Sequence, residues 1–465
     1  MLIEFKIANF RSIREDQALS FVADSPTKEL PQNVMDTPIP GLRGRRLLKA
    51  AAIYGANASG KSNVLAALRY VIWFVRNSAT GIRPDGGTGT EPFKLDPQCA
   101  ELPSKFELHA MVNGVRMLYG LELTRHRVVS EYLVAYPKGH ARVWFERDWD
   151  DKAAGYKWSK SSEHFHHDKD LRSKVRENAS FLSVAAQFNH GPSLTMWEWF
   201  GSAFHLIDTS RGDEIESMAE LLGNAQWRTT AVEILNRADL GILDARVAKR
   251  ERPPRGPALW PERFVMPDPD EDSGDVIVRP GERNVRVMFP IIFDYKDDST
   301  AEWAALRKWL TSTSSVPQLL HQGRNGASVP MDFTKEESEG TRRLLAILAR
   351  YLRGFGRARL MMIDEIETSL HPLLVREIIG LFASLHLPEA SGYPQLLFTT
   401  HNPLLLDQTL LRRDQIWFTE KDREGATRLY PLTDYKPRND EALVKGYLAG
   451  RYGGIPFIPE GLLAP

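Results

Sequence analysis

Gly55-Ala56-Asn57-Ala58-Ser59-Gly60-Lys61-Ser62 decides the reading of this chain. Its spacing, G-x-x-x-x-G-K-S, is that of a phosphate-binding loop. The apolar run from Lys49 to Tyr54 precedes it and suits a buried strand. Asn63 to Val75 follows, with Val64, Leu65, Leu68, Val71, Ile72 and Val75 at helical spacing. Strand, glycine loop and helix thus stand in sequence. Glycine lets backbone N–H groups turn toward a phosphate chain with no Cβ in the way. The helix N-terminus adds its partial positive charge. Lys61 is expected on the β- and γ-phosphates of ATP and the Ser62 hydroxyl on Mg²⁺. Gly55, Asn57, Ser59, Gly60 and Asn63 complete this half of the candidate nucleotide site.

The second half lies three hundred residues on. Arg359-Leu360-Met361-Met362-Ile363-Asp364-Glu365 is an apolar strand ending in two acids. A buried strand of this kind places Asp364 in the Mg²⁺ shell at its C-terminal end. Glu365 is then placed as general base for the attacking water. Gln395 to Thr400 is another apolar strand, ending at His401, whose imidazole is expected near the γ-phosphate. Ser338-Glu339-Gly340-Thr341 precedes an apolar helix, Arg342 to Leu352, and a Ser and a Gly at a helix start make an anion site.

Between and around these motifs the chain changes character several times. Residues 2–8 alternate, Ile3, Phe5 and Ile7 against Glu4 and Lys6, as a half-buried strand does. Asn9-Phe10-Arg11-Ser12-Ile13 leads to a second short strand near Ala18–Val22. Residues 24–46 read as loop, and Arg43, Arg45, Arg46 and Lys49 as its solvated basic residues. Residues 104–134 read as a β-meander turning at Asn113-Gly114, with further strand at Tyr132–Tyr136 and Ala141–Phe145. Leu171–Ala186, Met196–Phe200, Ile215–Leu222 and Trp227–Ala238 read as helices, none with a sustained heptad. In 245–290 a basic run (Arg246, Lys249, Arg250, Arg252, Arg255) meets an acidic one (Asp268, Asp270, Glu271, Asp272, Asp275) among prolines, and reads as a mobile charged insertion. His164 to Asp168 reads as a polar loop rather than a metal site. Asp268, Asp270 and Asp272 lack the apolar frame of a nuclease carboxylate cluster.

Composition bounds the rest. Lys+Arg and Asp+Glu both number 60 in 465 residues, so net charge is zero and does not call for nucleic acid as a partner, although a local basic face stays possible. The one cysteine, Cys99, allows no intramolecular disulfide and fits a reducing cytoplasm. Glu4 and Lys6 interrupt the apolar N-terminus, which is therefore not read as a signal peptide. No apolar run approaches the about 18 residues of a membrane span, so no membrane partner is expected.

The order GANASGKS, ESEGT, LMMIDE, TSLHP, TTHN resembles the ABC-type ATPases of the SMC, RecF and OLD kind. The resemblance implies an α/β fold: a two-lobed ATPase head, a mixed sheet with the phosphate loop plus an antiparallel β-subdomain, with a helical insertion. On it the chain divides into an N-terminal lobe, 1–150, an insertion, 151–325, and a C-terminal lobe, 326–465. It implies an ATP-dependent head-to-head dimer, open to larger assembly, in which Ser338 and Gly340 bind the γ-phosphate of the other subunit. Glu339 stands where the family signature has its first glycine. Glu367 to Pro372 matches the D-loop that crosses that dimer, and Gln98 is the nearest candidate for a Q-loop glutamine. Among such families the chain is similar to stand-alone bacterial ATPases encoded beside an effector, RloA and the PARIS ATPase AriA, whose endings resemble Leu443–Pro456 here. About 65 residues follow His401, too few for the Toprim domain of OLD relatives. The implied function is an ATP-hydrolysing regulator of a bacterial anti-phage system, acting on a separate effector nuclease. The alternative is a RecF-like DNA-repair ATPase.

Overall fold

The apolar run before the phosphate loop forms the strand Ala50–Gly55, buried along its length. In the computed structural model it lies inside a six-stranded sheet, in the order Phe204–Ile207, Leu360–Ile363, Gln395–Thr400, Ala50–Gly55, Ile416–Lys421, Thr427–Pro431. The first five strands are parallel and the last pairs antiparallel. Parallel strands are covered on both faces, which is why Leu360–Ile363 and Gln395–Thr400 are apolar and buried throughout. Their C-terminal ends share one side of the sheet. Topology alone therefore brings the phosphate loop, Asp364 and His401 to one edge. The structure describes all residues except 25–28, 43, 160–164, 167–168, 208–212, 239–240, 251–283, 288–290, 295–313, 354–358, 385–393, 439–440 and 457–465.

A seven-stranded antiparallel sheet accompanies this core, in the order Gly155–Trp158, Arg142–Asp150, Val128–Tyr136, Val115–Leu123, Ser104–Val112, Leu2–Ala8, Gln17–Ser20. Asn113 (φ 48°) and Gly114 (φ 79°) make the tight turn their types favour. Gln395 ties the two sheets together. Its Oε1 accepts from Leu2 N at 2.6 Å and its Nε2 donates to Leu2 O at 2.9 Å. The helix Lys61–Gly81 buries Val64, Leu65, Leu68, Val71 and Val75, the face its periodicity marks. Tyr447 and Tyr452 of the C-terminal segment stack on Phe418, and Tyr447 also meets Tyr54 of the phosphate-loop strand.

These sheets belong to one compact unit, Met1–Ser210 with Glu339–Pro465; Arg211–Ser338 forms another. The second unit pairs helices Asp213–Gly223 and Ala225–Arg237 with a three-stranded sheet, Ile242–Arg250, Ser314–Gln322 and Ser328–Asp332. The divisions at 150 and 325 partition the chain differently. Residues 151–210 sit with the first unit because Phe165, Phe181 and Phe200 join its core.

Four local expectations need correction. Residues 24–46 are not all loop: Val34–Pro38 is a strand, paired antiparallel with Arg46–Leu48. Leu171–Ala186 is not one helix but Lys169–Ser173 and Phe181–Gln187, since Ser180 caps a new start by accepting from Ser183 N. Arg246 is not part of a mobile run: it lies on the strand Ile242–Arg250 and donates from Nε to Gln318 Oε1 at 2.8 Å. Lys49 is not a solvated loop residue but is buried, donating to Ala383 O at 3.0 Å, and burial pushes its pKa down. The strand Phe204–Ile207 was hidden by its shortness. Arg43, His164, Asp168, Arg252, Arg255 and the acidic run Asp268–Asp275 lie outside the described residues. Among the described residues no helix is long and apolar enough to cross a membrane.

Candidate functional site

The phosphate loop is shaped by two left-handed residues, Ala58 (φ 61°) and Gly60 (φ 105°), before the helix starts at Lys61. Sterics fix its outer glycines. A Cβ on Gly55 would run into Thr419 and Ser59, and one on Gly60 into Thr427. Those same residues brace the loop by hydrogen bonds. Thr427 Oγ1 donates to Ser59 O at 2.9 Å and meets Ser12 Oγ at 2.8 Å. Ser59 Oγ meets Thr419 Oγ1 at 2.7 Å, and Asn63 Nδ2 donates to Ser12 Oγ at 2.6 Å. The Ser59 and Asn63 side chains thus serve the scaffold, whereas Asn57 is exposed. Lys61 is buried, its ammonium donating to Gly55 O at 2.8 Å and Ala56 O at 3.0 Å. Burial lowers its pKa, against the pull of Glu365, Asp364 and Glu367.

The acidic end meets this loop directly. Asp364 Oδ1 accepts from Ser62 Oγ at 3.1 Å and from Thr399 Oγ1 at 2.5 Å. A hydroxyl and a carboxylate, both hard oxygen donors, converge at one point, which fits the preference of Mg²⁺. Glu365 then takes a left-handed conformation (φ 47°), unusual for a residue with a side chain. Arg343 Nη2 holds the turn by donating to Asp364 O at 2.9 Å and Glu365 O at 2.7 Å, while Glu365 N donates to Thr399 Oγ1 at 2.8 Å. Strained backbone persists where its surroundings over-determine it. Arg343 is itself buried, which lowers its pKa, with Glu339, Glu367, Glu365 and Asp364 acting the other way.

His401 follows the strand Gln395–Thr400 with its side chain 55% exposed. Glu367 fixes it twice: Oε1 accepts from His401 N at 2.7 Å and lies 3.0 Å from Nδ1. Glu367 Oε2 is buried without a hydrogen-bond partner among the described residues. Gly340 lies in the first turn of the helix Glu339–Arg353, and the exposed Ser338 ends the second unit. Gln98 is exposed on the short turn Pro97–Ala100.

Sequence reasoning brought Ser62 and Asp364 together and missed what holds them. Ser12 and Thr399 lie inside the motifs NFRSI and TTHN, and Arg343 two residues past ESEGT, so proximity to a motif was the available signal. Thr419 and Thr427 carry no such signal.

A family model described as "AAA domain, putative AbiEii toxin, Type IV TA system" matches residues 50–184 and 202–407. No curated protein sequence matches significantly. Among solved structures the chain is similar to an SMC head domain from Thermotoga maritima, at 12% identity and a TM-score of 0.35 over 92% of this chain and 98% of that one. It is also similar to an SMC head bound to the C-terminal winged-helix domain of ScpA, at 11% identity and a TM-score of 0.38 over 92% and 97%. A third is an SMC head with an extended coiled coil bound to the C-terminal domain of ScpA, derived from Pyrococcus furiosus, at 11% identity and a TM-score of 0.37 over 94% and 97%.

Proposed function

We propose, from the premise that the chain belongs to this AAA-domain family of nucleotide-binding ATPases, that it hydrolyses ATP in a head-to-head pair and thereby regulates a partner effector. The observation that carries the chemistry is the 3.1 Å contact between Ser62 and Asp364, which lie 302 positions apart. It joins the phosphate loop to the acidic strand at the point where oxygen donors for a cation are needed.

That geometry supports the following roles. The loop amides and Lys61 hold the β- and γ-phosphates. Ser62 and Asp364 hold Mg²⁺, which when bound neutralises charge on those phosphates. Glu365, next to Asp364 and held in a left-handed backbone, would take the proton of the attacking water. Glu367, bonded to His401 N and beside its Nδ1, would hold the ring in place for the γ-phosphate. Ser338 and Gly340 close the site of a second copy. The effector role rests on the resemblance of the sequence to stand-alone defence ATPases encoded beside an effector; the family description, which names a putative AbiEii toxin of a Type IV TA system, supports a place in such a system without naming a partner. A DNA-repair role would instead require a salt-dependent DNA affinity.

Glu365→Gln keeps the shape of the base and loses its function. ATP should still bind, while turnover falls by roughly 10²-fold or more. Trapped ATP favours the closed pair, since a ligand shifts population toward the state it binds better. Light scattering should then show an ATP-dependent gain in mass that Ser338→Arg removes. Undiminished turnover would remove Glu365 as base. A mass indifferent to both ATP and Ser338→Arg would end the paired-site reading.

A further inference from the structure

The exposed Ser338 is the last residue of the second unit, and the segment that leads to it is tightly bonded. The chain leaves the edge strand Ser328–Asp332 in a turn organised by Asp332. Asp332 Oδ1 accepts from Thr334 N at 2.9 Å, Thr334 Oγ1 at 2.6 Å and Lys335 N at 3.1 Å. Glu336 closes the turn: its N donates to Asp332 O at 2.8 Å, and its Oε2 accepts from Asp332 N at 2.5 Å. Phe333 is buried within it. These bonds set the shape of the turn.

Glu337 ties the turn to the sheet. Its side chain is 3% exposed, and its Oε1 lies 2.7 Å from His321 Nε2, a contact between residues 16 positions apart. A carboxylate only accepts, so Nε2 carries the proton of this bond. His321 belongs to Ser314–Gln322, the middle strand of the three-stranded sheet, in register with Ile242 on one side and Val329 on the other. Its backbone is therefore held from both sides, and its ring is a fixed point. A buried carboxylate is costly unless it is hydrogen-bonded. Glu337 is thus bound to His321, and the residue next in the chain is Ser338. Neither His321 nor Glu337 has a part in holding phosphate, cation or water.

We propose that His321 is a positioning residue for Ser338: through Glu337 it fastens the segment that presents Ser338 to the sheet of the second unit, so that closure on the ATP of a second copy depends on this bond. The inference rests on the paired-site reading given above.

The test is light scattering of the full chain in the Glu365→Gln background, with and without ATP, beside calorimetry of ATP binding at concentrations where the chain is single. His321→Ala should raise the protein concentration needed for the ATP-dependent gain in mass by about 10-fold or more, as for a lost hydrogen bond to a charged group. ATP affinity of the single chain should stay as it was, since a mere packing defect would lower melting temperature and affinity together. His321→Gln, whose amide can still donate to Glu337, should keep most of the gain. If His321→Ala folds poorly, His321→Asn, polar but too short to span the contact, takes its place with the same expectation. A gain that His321→Ala or His321→Asn leaves unchanged, or that His321→Gln loses as fully, overturns the proposal and leaves the paired-site reading standing. A Glu365→Gln parent with no gain at all overturns both.

Discussion

The strands Leu360–Ile363 and Gln395–Thr400 of the parallel sheet are apolar cores, and the side chains of the proposed chemistry come one residue past their ends, at Asp364 and His401. The antiparallel sheet does the reverse and places charge within its strands. Glu131 and Arg147 are wholly buried there, 2.7 Å apart. Glu131 also accepts from Tyr119 OH at 2.9 Å, Ser180 Oγ at 2.8 Å and Phe181 N at 2.7 Å. Glu365, by contrast, is exposed and accepts from Thr368 Oγ1 at 3.3 Å. A carboxylate with every lone pair engaged holds structure together; one exposed past a strand end keeps acceptor positions open. The difference is one of position in the strand, not of residue type.

The largest effect should come from breaking the saturated side. Glu131→Ala leaves Arg147 buried without its carboxylate, and removing one partner of a buried pair costs roughly 3–5 kcal/mol. Thermal melting should show that loss, while ATP turnover per folded molecule stays as it was. A fall in turnover without a fall in melting temperature would mean the antiparallel sheet takes part in the chemistry.

The reactive side should answer in the opposite sense. If Lys61 holds the phosphates as proposed, Lys61→Ala removes charged hydrogen bonds worth about 2 kcal/mol, or about 30-fold in ATP affinity. Its melting temperature should move far less than that of Glu131→Ala. Unchanged ATP affinity by calorimetry would take Lys61 out of phosphate binding.

The reactive side was also the legible one. Backbone chemistry at a phosphate loop needs glycine, lysine and serine at fixed spacing, and a parallel strand reads as an apolar run, so residues 55–62 and 359–365 announced themselves. Side-chain braces have no fixed spacing. Thr419 and Thr427 reach the loop from the two strands at the far edge of the sheet, and Arg343 reaches the acidic turn from the helix Glu339–Arg353. Only the fold makes them neighbours. The strand Phe204–Ile207 escaped for another reason: four residues are too few to show a period. The Glu131–Arg147 pair escaped because charge at alternate strand positions ordinarily marks the solvent face.

The smallest effect tests whether those unannounced braces matter to binding at all. Thr427→Val keeps volume and shape at a position that is 1% exposed, so packing against Gly60 survives. It deletes the donor to Ser59 O and the contact with Ser12 Oγ. One net hydrogen bond is worth about 1 kcal/mol, so stability should fall by about that much. If the hydroxyl scaffold holds the loop in its phosphate-ready shape, part of the loss reappears as ATP affinity weakened by up to about 5-fold. Thr90→Val is the matched control. Thr90 Oγ1 meets Ser104 Oγ at 2.8 Å, an equally buried hydroxyl pair, but one tied to the antiparallel sheet. It should lose similar stability and no ATP affinity. Equal affinities in the two variants would show that the phosphate loop keeps its shape through its backbone alone, and that the hydroxyls of Ser12, Thr419 and Thr427 belong with Glu131 on the structural side of the comparison.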